Sequence, residues 1–164
     1  MSSGTIKVAE HQGVTVIKME GDVRLTLCLS FDDFIEDMLS KDDFCSVLFD
    51  LTEAEAIDST TLGLMAKIAI TGRDKGFDDP VVITRNPNIK RILRSMGFAD
   101  IFQILDEHGD MLAPAKKLVE LKERTDDEKA VQARILEAHK VLMNMNEENR
   151  NTFKELVDTL EQQS

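Results

Sequence analysis

The sequence predicts an α/β layered domain followed by a helical extension, and three observations carry that prediction. Ser46 to Leu51 is a short, nearly continuous apolar run, the pattern of a strand buried on both faces of a mainly parallel or mixed sheet. Up to about residue 105, segments of helical periodicity alternate with short β-branched runs, as layered α/β domains do. Beyond that, Val131, Ile135, Ala138, Leu142 and Met145 are spaced 4, 3, 4 and 3 apart, a seam for packing against another helix.

Each element follows from local pattern. Val14 to Met19 alternates apolar and polar residues and reads as a strand, with Glu20-Gly21-Asp22 as the turn that ends it. Ile6 to Ala9 is its short partner across the Gln12-Gly13 turn. Phe31, Phe34, Ile35, Met38 and Leu39 give Ser30–Leu39 one apolar helical face, with Ser30 as N-cap and Asp32 and Asp33 in the first turn, where the helix dipole favours acids. The buried strand Ser46–Leu51 leads through Thr52–Ile57 to Asp58-Ser59-Thr60-Thr61 and a helix with Leu62, Met65, Ile68 and Ala69 as its stripe, ending near Gly72. Val81-Val82-Ile83 is a further strand. Asn86-Pro87-Asn88 opens a third helix, which Gly97 stops, and Ile101–Leu105 is a last strand. The order is β-β-α-β-α-β-α-β.

The remainder differs in kind. Met111–Arg124 reads as helix, anchored by Leu118 and Leu121, with a break and fresh N-cap at Thr125-Asp126-Asp127. The polar stretch Asn144–Asn151 interrupts the seam, and Phe153, Leu156, Val157 and Leu160 resume it out of phase. The expectation is one kinked helix or a helical pair. The chain therefore divides into a domain over residues 5–110 and a helical C-terminal extension over residues 111–164.

Composition excludes some functions. With 31 acidic and 20 basic residues the formal charge is -11, which argues against direct nucleic-acid binding, since phosphate backbones need clustered Lys and Arg. Cys28 and Cys45 form no C-x-x-C pair and lie among apolar residues, so both are expected as buried thiols of a cytoplasmic protein. The first eleven residues lack the basic-then-apolar pattern of a secretory signal. The most apolar stretch, Leu62–Ile70, is short and contains Lys67, so no membrane span is expected. His11, His108 and His139 lack metal-ligand spacing and are expected as solvated surface residues; no metal and no cofactor is expected. There is no Gly-rich phosphate loop and no Gly-x-Ser-x-Gly elbow, so the chain is not expected to be an enzyme. Asp50, at the end of a central strand, suggests a phosphate-accepting receiver, but no Lys follows Ile101–Leu105, and His108 and Lys116 are poor substitutes.

Ile57-Asp58-Ser59-Thr60-Thr61-Leu62-Gly63 carries the functional signal. On its own, Asp-Ser at a helix start commonly does no more than cap the helix. Upstream stands Val47-Leu48-Phe49-Asp50-Leu51; downstream stand Asn86-Pro87-Asn88-Ile89-Lys90-Arg91-Ile92-Leu93 and Met96-Gly97-Phe98. In this order and spacing the three segments resemble the STAS domain, and in particular the bacterial anti-sigma factor antagonists. Their signature is an aspartate, Ser, Ser or Thr, then Gly-Leu-Gly, and their later helix reads Pro-x-Val-x-Arg-x-Leu before a Gly-Leu.

The resemblance implies a STAS-like domain with a mixed central sheet and packed helices, and partner switching as its mechanism. The unphosphorylated protein would bind an anti-sigma factor. A serine kinase would phosphorylate Ser59 and abolish binding, and a phosphatase would restore it. Asp58, Thr60, Thr61, Leu62 and Gly63 would form the partner-binding surface around the acceptor, with Thr60 as the second-choice acceptor. Two departures stand out. Thr61 replaces the usual Gly, and Arg24 replaces an acid near the phosphorylation site. The competing expectation is a STAS-like scaffold that is never phosphorylated and binds partners through its C-terminal helices. The oligomeric state is left open.

Overall fold

The computed structural model describes residues 3–106 and 118–163. β1 (Thr5–His11) and β2 (Val14–Val23) form an antiparallel hairpin in which His11 pairs with Val14. Its two-residue turn has Gln12 at φ 52° and Gly13 at φ 83°, the left-handed pair that matches strand twist. β2 does not stop at Glu20-Gly21-Asp22 as expected. Gly21 takes φ 71° and the pairing with the next strand shifts register between Gly21 and Asp22. The same glycine that suggests a turn makes a bulge here, and the strand continues to Val23.

A 3-10 turn over Leu25–Leu27 leads into α1 (Cys28–Ser40). The helix starts two residues before Ser30, so Ser30 is not its N-cap; its hydroxyl donates to the Lys122 carbonyl. β3 (Ser46–Ile57) is also longer than expected, because Thr52–Ile57 continues alongside β2. α2 (Ser59–Asp74), β4 (Val81–Ile83), α3 (Pro87–Ser95) and β5 (Gln103–Leu105) follow. Ile101 and Phe102 precede β5 rather than belong to it: Phe102 N–H bonds the Phe98 carbonyl, and both residues are buried.

The described residues form a six-stranded mixed sheet in the order β5-β4-β3-β2-β1-β6, where β6 is Val119–Glu120. β2 through β5 are parallel, and β1 is antiparallel to both neighbours. The sheet is sealed on one face by Ile6, Ile17, Met19, Val47, Phe49 and Leu51. The other face of the hairpin and β3 is polar, with Lys7–Glu20 at 2.8 Å and Lys18–Glu53 at 2.6 Å. The expectation of a strand buried on both faces is thus corrected. Next to an antiparallel hairpin, β3 is buried mainly on one side.

The helix expected over Met111–Arg124 is not found in its described part; residues 111–117 lie outside the described residues. Val119 and Glu120 instead pair with Val8 and Lys7, and Leu121 N–H donates to the Ile6 carbonyl. Here an unpaired sheet edge supplies backbone partners that outweigh helix propensity. From there the chain runs past α1, with Thr26 bonding Glu123 and Asp33 paired with Arg124.

The extension is a helical pair, α4 (Glu128–Met145) and α5 (Glu147–Gln162). Asp127 caps α4 through the Ala130 N–H, and Asn146 breaks the pair and caps α5 through the Asn149 N–H. α4 packs against α1, α2 and α5. Ala138 and Leu142 of the seam are fully buried, and Phe153 and Val157 of α5 are buried as well.

Candidate functional site

Asp58 organises the site. Its extended backbone makes it the N-cap of α2, with Oδ1 accepting the Thr61 N–H at 2.9 Å. Its Oδ2 accepts the Leu25 N–H at 2.7 Å. One carboxylate therefore fixes both the start of α2 and the loop that leads to α1. Asp58 already supplies the cap through the Thr61 N–H, so the Ser59 hydroxyl is not needed for it.

That hydroxyl faces the extension. Ser59 Oγ lies 2.7 Å from His139 Nε2, and His139 Nδ1 lies 2.7 Å from the Ile135 carbonyl oxygen. A carbonyl only accepts, so Nδ1 carries the hydrogen. In the neutral ring Nε2 is then the acceptor, and the Ser59 O–H donates to it. His139 is 2% exposed, and Phe153 meets its ring edge-on at 5.1 Å between centroids. The expectation of a solvated surface histidine is wrong for this residue. A helical wheel of α4 places His139 beside Ile135 and Leu142, and that neighbourhood was the signal that could have found it.

The rest of the expected surface lies beneath the same helix or in the core. Ser59 is partly exposed, whereas Thr60, Thr61 and Leu62 are buried. A β-carbon on Gly63 would stand 2.6 Å from the carbonyl carbon of Ala138 and 2.7 Å from its β-carbon. That is closer than packed atoms come, so α2 and α4 meet here almost backbone to backbone. Asp58 and Ser59 thus stand together at the helix start, while Thr60, Thr61, Leu62 and Gly63 do not present an open face in this conformation.

Charge surrounds this seat. Lys67 Nζ bonds Asp32 at 2.9 Å, Glu36 at 2.6 Å and Glu137 at 2.8 Å. Burial alone would lower the lysine's pKa, but the hydrogen bonds it donates to Glu137, Glu36 and Asp32 prevail and hold it well above the ordinary lysine value. Asp32 also meets Arg134 of α4 at 3.2 Å. Asp32 is therefore a buried ion-pair partner rather than a dipole-favoured residue of the first turn. Arg24 is exposed and pairs with Asp22 at 2.7 Å, one residue before the Leu25 N–H that Asp58 holds. Of the two thiols, Cys28 is buried as expected, but Cys45 is exposed, because it follows the Asp42-Asp43 turn rather than entering the strand. Burial, with Asp58 and Asp32 nearby, pushes the Cys28 thiol up to about 11.

Asp50 is buried in the middle of β3, and its Oδ1 accepts from the backbone and the hydroxyl of Thr52. It is thereby tied into the strand rather than offered at a strand end. Among the described residues no group of three or more His, Cys, Asp or Glu side chains is arranged to hold a metal. Also among them, no helix is long and apolar enough to cross a membrane.

Residues 5–111 match the STAS domain profile, which is most of the chain. The chain belongs to the STAS domain family. Solved structures agree on the fold. An anti-sigma factor antagonist from Mycobacterium paratuberculosis superposes with a TM-score of 0.54 at 24% identity, covering 66% of this chain and 91% of that one. The anti-sigma factor antagonist SpoIIAA in its unphosphorylated form gives 0.58 at 10% identity, covering 65% and 90%. The phosphorylated form of the Bacillus cell fate determinant SpoIIAA gives 0.55 at 10% identity, covering 65% and 94%. No curated protein sequence matches significantly. The STAS domain profile ends at residue 111, so α4, which covers the start of α2, and α5, which packs on α4, lie beyond it.

Proposed function

We propose that this STAS protein is an anti-sigma factor antagonist that works by partner switching, with Ser59 as the phosphate acceptor. It binds an anti-sigma factor when unphosphorylated and releases it when a serine kinase modifies Ser59; a phosphatase reverses the change. The division of labour between Asp58 and Ser59 supports this reading most directly. Asp58 caps the helix with one oxygen and the Leu25 loop with the other, leaving the Ser59 hydroxyl at a helix N-terminus with no structural duty inside the domain. The solved antagonists that share the fold, one of them in a phosphorylated form, lend it further support.

The physics is sufficient. A phosphate adds about 1.5 to 2 negative charges at neutral pH. Beside Asp58, in an interface that must shed water, it imposes repulsion and desolvation together, and about 1.4 kcal/mol is already a tenfold loss of affinity. No refolding is needed. The protein acts in the cytoplasm without catalysing a reaction, and the domain over residues 5–110 carries the switch while residues 111–164 are its C-terminal extension.

The test is affinity capture from the native cells with wild type, Ser59→Ala and Ser59→Asp as baits. One regulatory protein retained by wild type and Ser59→Ala and lost with Ser59→Asp supports the reading. The same proteins retained by all three baits would reduce Ser59 to part of a helix start.

A further inference from the structure

We infer that α4 and α5 are a built-in cover of the switch surface, seated in the unphosphorylated chain and unseated by a phosphate on Ser59. This rests on the reading of Ser59 as acceptor. A trans partner that uses residues 58–63 must displace the same helix.

Four contacts define the seat. His139 Nε2 takes the Ser59 hydroxyl at 2.7 Å, and its ring is closed off from solvent. Ala138 lies against Gly63, where no side chain fits between the helices. Glu137 bonds Lys67, and Arg134 bonds Asp32. At the far end, Asn146 and Asn149 both donate Nδ2 to the Met96 carbonyl, at 3.3 Å and 2.8 Å, tying the α4–α5 junction to the end of α3. These contacts come from two successive turns of one helix plus its hinge, so the cover moves as a unit.

The contacts also make the cover incompatible with phosphate. A phosphoryl group places a phosphorus and three further oxygens on Ser59 Oγ, in the space that the imidazole fills. The ring cannot turn aside without giving up its bond to the Ile135 carbonyl. Asp58 adds like charge next door. Phosphoryl transfer, moreover, needs the hydroxyl in line with the donor phosphate, and here it is held on the buried imidazole of His139 instead. The cover must open before Ser59 is modified, and the modified residue resists its return. By linkage, whatever binds the bared surface favours opening by the same factor.

The cover can be tested on the purified full chain in two arms. In the first, Ser59→Cys is placed in a Cys45→Ser background and its thiol is alkylated with iodoacetamide, with and without Ala138→Leu, which wedges α4 away from Gly63. Labelling at least tenfold faster with Ala138→Leu is expected, with amide exchange in β2 and β3 unchanged as the control for folding. In the second, phosphoserine is incorporated at position 59 during synthesis, and amide exchange over Val131–Leu142 should accelerate at least tenfold. Equal labelling rates, or equal exchange of α4 with and without phosphate, would overturn the cover and leave the functional reading standing. A positive result in both arms, with no phosphate on Ser59 in cells, would uphold the cover and remove the functional reading.

Discussion

Ser59 Oγ and His139 Nε2 meet at 2.7 Å although 80 residues separate them in sequence. The bond joins the start of α2 to the middle of α4, so its strength reports on how firmly the extension is seated. Ser59→Ala leaves a buried imidazole nitrogen without its donor and should cost about 1 kcal/mol. In a double-mutant cycle with His139→Phe, the coupling should be about 1 kcal/mol by urea denaturation. Strictly additive effects would mean that the two residues do not interact in solution.

Gly63 gives a test whose sign is decisive. In an open helix, Gly→Ala stabilises by about 1 kcal/mol. At position 63 the new β-carbon would run into Ala138, so Gly63→Ala should instead destabilise by about 1 to 3 kcal/mol. Chemical denaturation reads the sign directly. A gain in stability would show that α4 does not rest on α2.

The Lys67 cluster predicts a pH dependence. Glu36 is held below its ordinary value of 4.5, first by its hydrogen bond to Lys67 and then by that lysine's charge. A lowered carboxylate contributes its stability above 4.5 and loses it as pH falls through the folded-state value. Lys67 is raised, so its own contribution is complete at neutral pH and is lost only in strong alkali. Lys67→Met should destabilise at pH 7 by about 1 to 3 kcal/mol, since it also strips a partner from the buried Asp32. The same change should flatten the fall in stability as pH drops below 4.5. Thermal melts across that range check both effects, and an unchanged slope would show that the cluster is unimportant.

The two thiols should behave differently. Cys28 is buried and its thiol is pushed up to about 11, while Cys45 is exposed. Since the thiolate is the reactive form, one thiol per native chain should react promptly with a disulfide reagent. Cys45→Ser should abolish that fast phase, and denaturation should release the second thiol.

Elements whose signal is local were legible in the sequence. The β1–β2 hairpin, α2 with its Asp58 cap and α3 with its Asn86 cap follow from alternation, periodicity and capping residues. The errors share a cause. Gly21, Thr52–Ile57 and Val119–Glu120 look like a turn, a loop and a helix, yet each takes its conformation from the strand beside it. Ser30 looks like a cap, but Asp58, 33 residues from Leu25, helps set where the chain turns before α1. His139 was missed for the same reason. Ile135 and Leu142 mark its face of α4 as one that packs, but nothing near it in sequence names Ser59 as what it packs against. The candidate site was legible on its α2 side and illegible on its α4 side, because docking of a helix depends on surface that only the folded domain creates.

The most direct measurement is the phosphorylation state of the protein isolated from its own cells, mapped by tandem mass spectrometry across residues 55–67. A single phosphate is expected, on Ser59, in a fraction of the molecules that changes with growth condition. A phosphate on the buried Thr60, or none on Ser59 under any condition, would contradict that expectation.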